Sequence, residues 1–250
     1  MFFLNLIMLL SKNSVIDMPK LLSPFYREEI NKKYVCVPKI REEFRWVFTE
    51  EAIAVEKLDG TNVSVVVRDG KIAEIWNRTN KIEIWKKGNK RFVEGILEAI
   101  EKGYFNPEQV EDGQYFGELI GPLVNGNPYQ LETHLWIPFD VLKQKLRFKF
   151  WDKLIPEFKG KSDEEIFKIV DEIFRGLWSL YKRQKGIKGE VNENVGFEGM
   201  AAEGIVFYRK DKEINLVRHP DAPGGKLTTL EMCKLRRDMF EWFKGRRHGL

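Results

Sequence analysis

The stretch EKLDGTN, residues 56–62, places a lysine, an aspartate and a glycine between two apolar runs. The run before it predicts a strand that ends at Lys57, and the alternation in TNVSVVV (61–67) predicts a half-buried strand after it. Gly60 permits a tight turn between them. A lysine at the end of a buried strand loses its proton more readily than a surface lysine, and a neutral amine can attack phosphorus to give a phosphoramide. The stretch alone fits a surface Asp-Gly hairpin equally well, so other segments must decide.

The overall composition excludes several classes of protein. The 250 residues contain 42 Lys and Arg against 38 Asp and Glu, and the resulting net charge of +4 excludes a polybasic tail protein. The 18 Phe and 7 Trp can fill a sizeable core. A charged fraction of 32%, much of it Lys and Glu, is typical of proteins from very hot environments, so we expect a thermophilic source.

The cysteines and the N-terminal segment bear on compartment and domain bounds. Cys36 and Cys233 lie too far apart for the usual zinc-ligand spacing, and they favour a reducing, cytoplasmic location. MFFLNLIMLL (1–10) lacks the basic flank of a signal peptide and is shorter than the roughly 20 residues of a membrane span. We expect residues 1–17 to be an extension outside the fold, with residues 18–250 forming a single domain that starts at Met18.

Local patterns predict an α+β fold built around antiparallel sheets. SDEEIFKIVDEIFRGLWSLYKRQ (162–184) is the clearest helix, with a capping-box pattern at Ser162 and Glu165. PFYREEINKKY (24–34) is interpreted as a short helix, and LRFKFWDKL (146–154) as a strand. EGIVFYR (203–209) predicts a strand, paired with EINLV (213–217).

Further segments carry charged residues in apolar, strand-like surroundings. Glu118 and Glu203 lie within the otherwise apolar runs YFGELIG (115–121) and AAEGIVF (201–207), and such carboxylates suit Mg²⁺ or Mn²⁺. The remaining segments carry cations: Arg78 in WNRTN (76–80), and Lys234 and Arg236 in CKLRRD (233–238). In collinear order with EKLDGTN, these segments resemble the covalent nucleotidyltransferase superfamily of ATP-dependent RNA ligases, DNA ligases and messenger-RNA capping enzymes, over about residues 35–240.

The resemblance implies a nucleotidyltransferase domain of two antiparallel sheets flanked by helices, with the nucleotide in the groove between them. It also implies that Lys57 is the catalytic nucleophile and that Glu118 and Glu203 bind Mg²⁺ or Mn²⁺. The ATP-binding residues that it implies are Glu56, Lys57, Asp59, Gly60, Asn62, Arg78, Glu118, Trp151, Glu203, Lys234 and Arg236.

Two assignments have rivals within the sequence. The basic pair Lys234 and Arg236 competes with Arg218 and Lys226, and choosing the later pair makes residues 211–231 an insertion or an extra hairpin. The aromatic residue expected over adenine is Trp151, with Phe139 as its rival.

The resemblance further implies that the protein is an enzyme acting in three steps. Lys57 takes AMP from ATP, AMP moves to a 5′-phosphate, and a 3′-hydroxyl displaces AMP to join two strands. Only EWFKGRRHGL (241–250) follows the last motif, which favours a minimal RNA ligase without a C-terminal OB domain. We expect RNA as the partner, possibly DNA, and no membrane. The alternatives are a compact DNA ligase and a non-catalytic nucleic-acid-binding relative.

Overall fold

The structure is a computed structural model that describes residues 15–184, 191–192, 196–197, 200–222 and 227–244. Its strands are β1 (Phe25–Ile30), β2 (Lys33–Ile40), β3 (Ala52–Lys57), β4 (Thr61–Arg68), β5 (Lys71–Asn77), β6 (Asn80–Lys81), β7 (Gly113–Ile120), β8 (Leu135–Pro138), β9 (Val191–Asn192), β10 (Gly196–Phe197), β11 (Gly204–Arg209), β12 (Val217–Arg218), β13 (Leu227–Thr228) and β14 (Met232–Arg236). Its α-helices are α1 (Lys90–Glu101), α2 (Phe139–Lys145), α3 (Lys149–Phe158), α4 (Asp163–Arg175) and α5 (Leu180–Gln184).

The described chain divides into two compact units. The first contains Leu58–Lys145 and the described residues up to Met18, and the second contains Pro19–Lys57 and the described residues from Leu146 onward. The strands pair antiparallel in both units, and helices accompany them, so the predicted α+β fold class is confirmed. Among the described helices, none has the length and apolar character needed to cross a membrane.

The first unit is built on a five-stranded sheet in the order β6-β5-β4-β7-β8. Thr61 pairs with Leu119 and Val63 pairs with Asn77, so the start of β4, the end of β5 and the end of β7 lie at one end of the sheet. The buried Trp136 of β8 fixes the centre of the sheet, because its indole Nε1 donates a hydrogen bond to the Val63 carbonyl at 3.0 Å.

The second unit is built on the three-stranded sheet β14-β11-β3. The free edge of β3 is covered by the chain just before α3, where the Phe148 amide donates to the Ala54 carbonyl at 2.8 Å. Below the sheet lies a core rich in aromatic side chains, whose fully buried members include Phe25, Phe44, Trp151, Phe174, Phe207 and Phe240. Helix α4 begins with the predicted capping box, in which Ser162 and Glu165 exchange hydrogen bonds.

The segment interpreted as a helix at residues 24–34 is instead the hairpin of β1 and β2, so that prediction is wrong. Asn31 and Lys32 form its two-residue turn with φ values of 52° and 62°. Two consecutive left-handed residues match the right-handed twist of a hairpin, and asparagine tolerates that conformation well.

The segment interpreted as a strand at residues 146–154 passes into helix α3 after one bridge between Val55 and Arg147. Its apolar residues satisfy both spacings: Phe148 fits an alternating strand, while Trp151, Ile155 and Phe158 recur at helical intervals. The helical face wins because it is buried in the core of the second unit.

The predicted pairing of EINLV with EGIVFYR is also wrong. Strand β11 pairs with β3 and β14, while β12 pairs with β13 in a separate two-stranded ribbon. Strands β12 and β13 thus form an extra antiparallel pair in the chain between β11 and β14.

The predicted extension reaches into the described residues at its end. The amide of Ile16 donates to Gln114 Oε1 at 3.0 Å, and Asp17 pairs with Arg78 at 3.0 Å, both within the first unit. Residues 1–14 lie outside the described residues. The boundary at residue 17 therefore stays a prediction. Ile16 and Asp17, the last residues of the predicted extension, contact the first unit.

Candidate active site

Lys57 is the last residue of β3, and its ammonium contacts a buried carboxylate. Its Nζ lies 2.6 Å from Glu203 Oε2, and the exposed fractions of the two side chains are 22% and 2%. The contact forms because Lys57 pairs with Gly204 across the β3–β11 ladder, which places Glu203 one residue away. A half-exposed amine bonded to a buried carboxylate can both meet a ligand and exchange a proton.

Strand β14 brings two further cations to the same side of this sheet. Arg236 pairs with Gly204, and Lys234 pairs with Val206, so both lie on the sheet face that Lys57 shares. Arg236 Nη1 is 4.0 Å from Glu203 Oε1. Leu235 faces the other way and is buried in the core. The structure therefore brings together Lys57, Glu203, Lys234 and Arg236.

Gly204 is what lets the three strands approach each other at this row. A Cβ built on it would lie 2.2 Å from the Leu235 carbonyl oxygen and 2.7 Å from the Arg236 Cα. Both obstacles are backbone atoms, which cannot move without breaking the ladder, so only glycine fits.

The cations perturb one another. Burial, with the neighbouring Arg236 and Lys57 charges, lowers the pKa of Lys234 from 10.5 to about 7, although Glu203 opposes the shift. The cluster sets three basic groups against two carboxylates, Glu203 and Asp238, the latter 3.0 Å from Arg236 Nε, so it carries an excess of positive charge when Lys234 is protonated. Such a set of side chains suits a polyanionic ligand.

Glu56 is 1% exposed, and its side chain takes a role that differs from the predicted one. Its Oε1 accepts the Ser179 hydroxyl at 2.5 Å, and its Oε2 accepts the amides of Leu180 at 2.7 Å and Tyr181 at 2.8 Å. Burial raises its pKa to about 7, against the lowering effect of those three hydrogen bonds. Glu56 therefore anchors β3 to the start of α5 and has no surface for ATP, which corrects the expected contact.

In the first unit, the DGTN turn is held by a loop that follows β7. Asn125 Nδ2 donates to Asp59 Oδ1 at 2.7 Å and to the Gly60 carbonyl at 2.8 Å. The Asp59 amide donates to the hydroxyl of the buried Tyr129 at 2.7 Å. Asn125 and Tyr129 are positioning residues that motif reasoning missed, although Tyr129 belongs to the GNPYQ stretch that follows the motif of Glu118.

Gly60 is required by packing as well as by the turn. A Cβ there would lie 2.4 Å from the Leu119 carbonyl oxygen and 2.7 Å from Glu118 Cγ. The neighbouring Asn62 pairs with Glu118 across the β4–β7 ladder. Its Oδ1 is buried and has no hydrogen-bond partner among the described residues.

Arg78 occupies the turn between β5 and β6 with a φ of 56°. Its Nη2 is 3.0 Å from Asp17 Oδ2, and the exposed fraction of its side chain is 36%. Arg78 therefore lies at the end of the sheet where β4 begins and β5 ends, with its guanidinium partly open to solvent.

Two assignments had rivals in the sequence, namely the aromatic residue over adenine and the basic pair. Trp151 has no exposed surface, packs against Phe207 with ring centroids 4.8 Å apart, and donates from Nε1 to the Val47 carbonyl. A fully enclosed ring cannot stack on adenine, so the expected role of Trp151 is wrong, whereas the partly exposed Phe139 remains available. Arg218 is exposed on the separate β12–β13 ribbon, and Lys226 lies outside the described residues.

Within the described ranges, no group of three or more His, Cys, Asp or Glu side chains is arranged to hold a metal ion. Magnesium is commonly held by one or two carboxylates together with substrate phosphates, so a preformed protein cage is not required. The metal-binding roles of Glu118 and Glu203 stay predictions.

Comparison with known proteins gives the class. The family model described as RNA ligase matches residues 50–220, well over half of the sequence, so the chain belongs to the RNA ligase family. No curated protein matches the chain at a significant level.

Solved structures from Naegleria gruberi are similar at low identity. Its RNA ligase with PPi has 16% identity and a TM-score of 0.39, with 80% of this chain and 56% of that chain covered. A mutant of its RNA ligase with ATP and Mn has 14% identity and a TM-score of 0.40, with 80% and 59% covered. This chain thus spans less than two thirds of those ligases.

Proposed function

We propose that this protein is an ATP-dependent RNA ligase that forms a covalent lysyl-AMP on Lys57. The observation that carries the proposal is the contact of Lys57 Nζ with Glu203 Oε2 at 2.6 Å. Two further cations, Lys234 and Arg236 of β14, lie on the same face of the sheet. Membership of the RNA ligase family supports the same reaction class.

The charges of the second unit fit the triphosphate of ATP. Lys57, Lys234 and Arg236 lie on one face of the sheet around the Glu203 carboxylate, and Arg236 also pairs with Asp238. Phosphoryl transfer depends mainly on positioning and on neutralising the charge that develops in the transition state. An approaching phosphate favours the protonated form of Lys234, whose pKa burial has lowered to about 7, so ATP binding itself would charge this lysine.

The first step requires Lys57 to lose a proton. The amine attacks the α-phosphorus of ATP, the new N–P bond replaces the bond to the β-phosphate oxygen, and pyrophosphate leaves. The nearest acceptor for the ammonium proton is Glu203 Oε2. Arg236, near the other Glu203 oxygen, helps to keep this carboxylate in place.

The later steps move AMP and then release it. A 5′-phosphate oxygen of the RNA displaces Lys57 from phosphorus, giving a 5′,5′-pyrophosphate linkage and restoring the amine. A 3′-hydroxyl then attacks the 5′-phosphate, and AMP leaves as the phosphodiester forms. In the first unit, the partly exposed Arg78 offers a cation for a phosphate.

A divalent cation would accompany the ATP phosphates. Glu118 and Glu203 are the residues proposed to bind it, and it would supply charge neutralisation at the transferring phosphate. Because Glu203 Oε2 is paired with Lys57, Glu203 would hold the cation through its Oε1.

The test is incubation of the protein with α-labelled ATP and Mg²⁺, followed by denaturing electrophoresis and peptide mass spectrometry. We expect one acid-labile AMP on the peptide that contains Lys57, and none in Lys57→Ala. Label on Lys226 or Lys234 would refute the assignment of the nucleophile. A protein that binds RNA but takes no label would be the non-catalytic relative.

The substrate is tested with 5′-phosphorylated RNA and DNA, single-stranded and nicked. Joining of RNA strands is expected, because the family is that of RNA ligases. Joining of nicked DNA at rates equal to or above those for RNA would favour the compact DNA ligase instead.

A further inference from the structure

A rigid turn of the first unit holds two apolar side chains out in solvent. In residues 83–86, named here the tryptophan turn, the Lys86 amide donates to the Glu83 carbonyl at 3.0 Å. Asn89 Nδ2 donates to the same carbonyl at 3.0 Å. The two central residues, Ile84 and Trp85, are 57% and 77% exposed, and Trp85 is the most exposed large hydrophobic residue that the structure describes.

Trp85 and the adjacent Ile84 together leave apolar surface in water, and its burial by a partner would be favourable. The backbone of the turn is fixed by three hydrogen bonds, including Asn89 N to the Lys86 carbonyl at 2.8 Å. The side chain is thus presented by an ordered backbone, which lowers the entropy cost of binding a partner.

Cations surround the turn. Residues 81–91 contain five, Lys81, Lys86, Lys87, Lys90 and Arg91, against the single carboxylate of Glu83, so this short segment has a net charge of +4. The whole chain also has a net charge of +4, so the remaining residues together are neutral. Glu83 pairs with Lys86. Lys87 and Lys90 are exposed and have no carboxylate within ion-pair distance among the described residues.

The tryptophan turn lies at the edge of the five-stranded sheet, in the unit that also contains Arg78 and the DGTN turn. It follows the edge strand β6, and the Ile82 amide donates to the Ile75 carbonyl of β5. Thr61 Oγ1 and Asn77 Oδ1, at the ends of β4 and β5, are 3.1 Å apart. Arg78 follows Asn77, and β6 connects this end of β5 to the tryptophan turn.

We propose that the tryptophan turn binds an unpaired nucleotide of the polynucleotide substrate, with Trp85 stacked on its base and Lys86, Lys87 and Lys90 bound to phosphates. Aromatic side chains beside a basic surface are the usual means of holding single strands, and every base has a face on which to stack. A protein partner fits less well, since protein interfaces are depleted in lysine. The inference rests on the proposed function, which supplies a polynucleotide as substrate.

The experiment measures binding of a single-stranded RNA by fluorescence anisotropy in the absence of ATP. The probe is a 12-nucleotide RNA with a 5′-phosphate and a 3′-fluorophore. We expect Trp85→Ala to weaken binding about 5- to 100-fold, the loss of one stacked base. Trp85→Phe should retain most of the affinity, whereas Trp85→Leu should not, because leucine is apolar but has no aromatic face.

The cations are tested by salt dependence. The double variant Lys87→Ala/Lys90→Ala should reduce the slope of log Kd against log salt by about 1.4, because each single-strand phosphate contact contributes about 0.7. Matched controls are Tyr34→Ala, which removes an aromatic residue 58% exposed in the second unit, and Lys153→Ala/Lys159→Ala, which removes two exposed lysines there. Both controls should bind RNA as the wild type does.

Lysyl-AMP formation without RNA separates the two proposals. It should be unchanged in every Trp85 variant, which also shows that these variants fold. Absence of lysyl-AMP from the wild type would remove the proposed function but not this site, which would still be judged by RNA binding. Wild-type affinity in Trp85→Ala would overturn the inference. So would equal binding by Trp85→Leu and Trp85→Phe, or a wild-type dimer that Trp85→Ala dissociates, since Trp85 would then serve apolar docking or an interface between copies.

Discussion

Replacing Lys234 with methionine should give a protein that is more stable than the wild type and is unable to form lysyl-AMP. Methionine retains an unbranched apolar chain at this largely buried position on β14 and removes only the charged end. The position is therefore one where the requirements of folding and of catalysis conflict, and a single substitution separates them.

The size of the effect follows from the pKa of Lys234, which burial and the neighbouring Arg236 and Lys57 lower from 10.5 to about 7. Between these pH values the unfolded chain binds a proton that the native protein has released, so stability rises with pH. Below pH 7 both states are protonated, and the full penalty, at most about 5 kcal/mol, weighs on the native state. Removing the charge should recover part of this penalty, about 1–4 kcal/mol, because Glu203 keeps Lys57 and Arg236 as its partners.

The assay is urea unfolding of wild type and Lys234→Met at pH 6, 8 and 10, with the slope m compared to confirm equal exposure on unfolding. We expect the variant to be more stable by about 1–4 kcal/mol at pH 6 and its advantage to shrink toward pH 10. Lys210→Met, at an exposed position of the same unit, is the control and should show neither effect. If Lys234→Met is no more stable than the wild type at pH 6, or if the difference in stability does not decline as pH rises, the Lys234 charge does not destabilise the native protein.

Three further predictions test the remaining assignments. Glu203→Gln keeps a hydrogen-bonding group beside Lys57 but loses the charge, so single-turnover adenylation should fall at least about tenfold, as for a lost general base; a normal rate would leave Glu203 a structural role. Stability of the wild type should fall as pH rises from about 4.5 to 7, because the native Glu56 carboxyl still holds a proton that the unfolded chain has released. Glu56→Gln should abolish this fall. An unchanged pH profile of thermal unfolding in the variant would contradict the prediction. Trp151→Phe should lose about 1–3 kcal/mol of unfolding free energy, because the bond to the Val47 carbonyl and core volume are lost, with an unchanged KM for ATP; a raised KM would return Trp151 to the nucleotide site.

The α+β class and the cluster around Lys57 could be predicted from sequence for a physical reason. Lys57, Glu203 and Lys234 each stand in or beside an apolar run that is long enough to be recognised as a strand. Once such strands pair in one sheet, the alternation of side chains decides which face each charged residue takes, so Lys57 lies on the face opposite to the buried Glu56. The spacing of Lys234 and Arg236 along β14 then places both on that face.

The errors have equally physical causes. Trp151 lies in a segment whose apolar residues fit both a strand and a helix, and only the buried face of α3 decides between them. The β1–β2 hairpin depends on left-handed Asn31 and Lys32, a weaker signal than Asn-Gly. The Asn125 side chain donates hydrogen bonds to Asp59 and Gly60, which precede it by 66 and 65 positions in the sequence. No local sequence pattern can reveal contacts over such a separation. Its loop is recognisable in sequence only as a stretch without regular structure.

The row formed by Lys57, Gly204 and Arg236 makes activity depend on how strands are aligned rather than on whether they fold. If β14 shifted by one residue, Lys234 and Arg236 would turn toward the core and Leu235 toward the ligand face. A core substitution near Cys233 or Leu235 that tolerated such a shift could leave the content of secondary structure unchanged while silencing the enzyme. Variants of this kind would pass a circular dichroism screen and fail an adenylation screen, so collections of mutants sorted by foldedness alone would misclassify them.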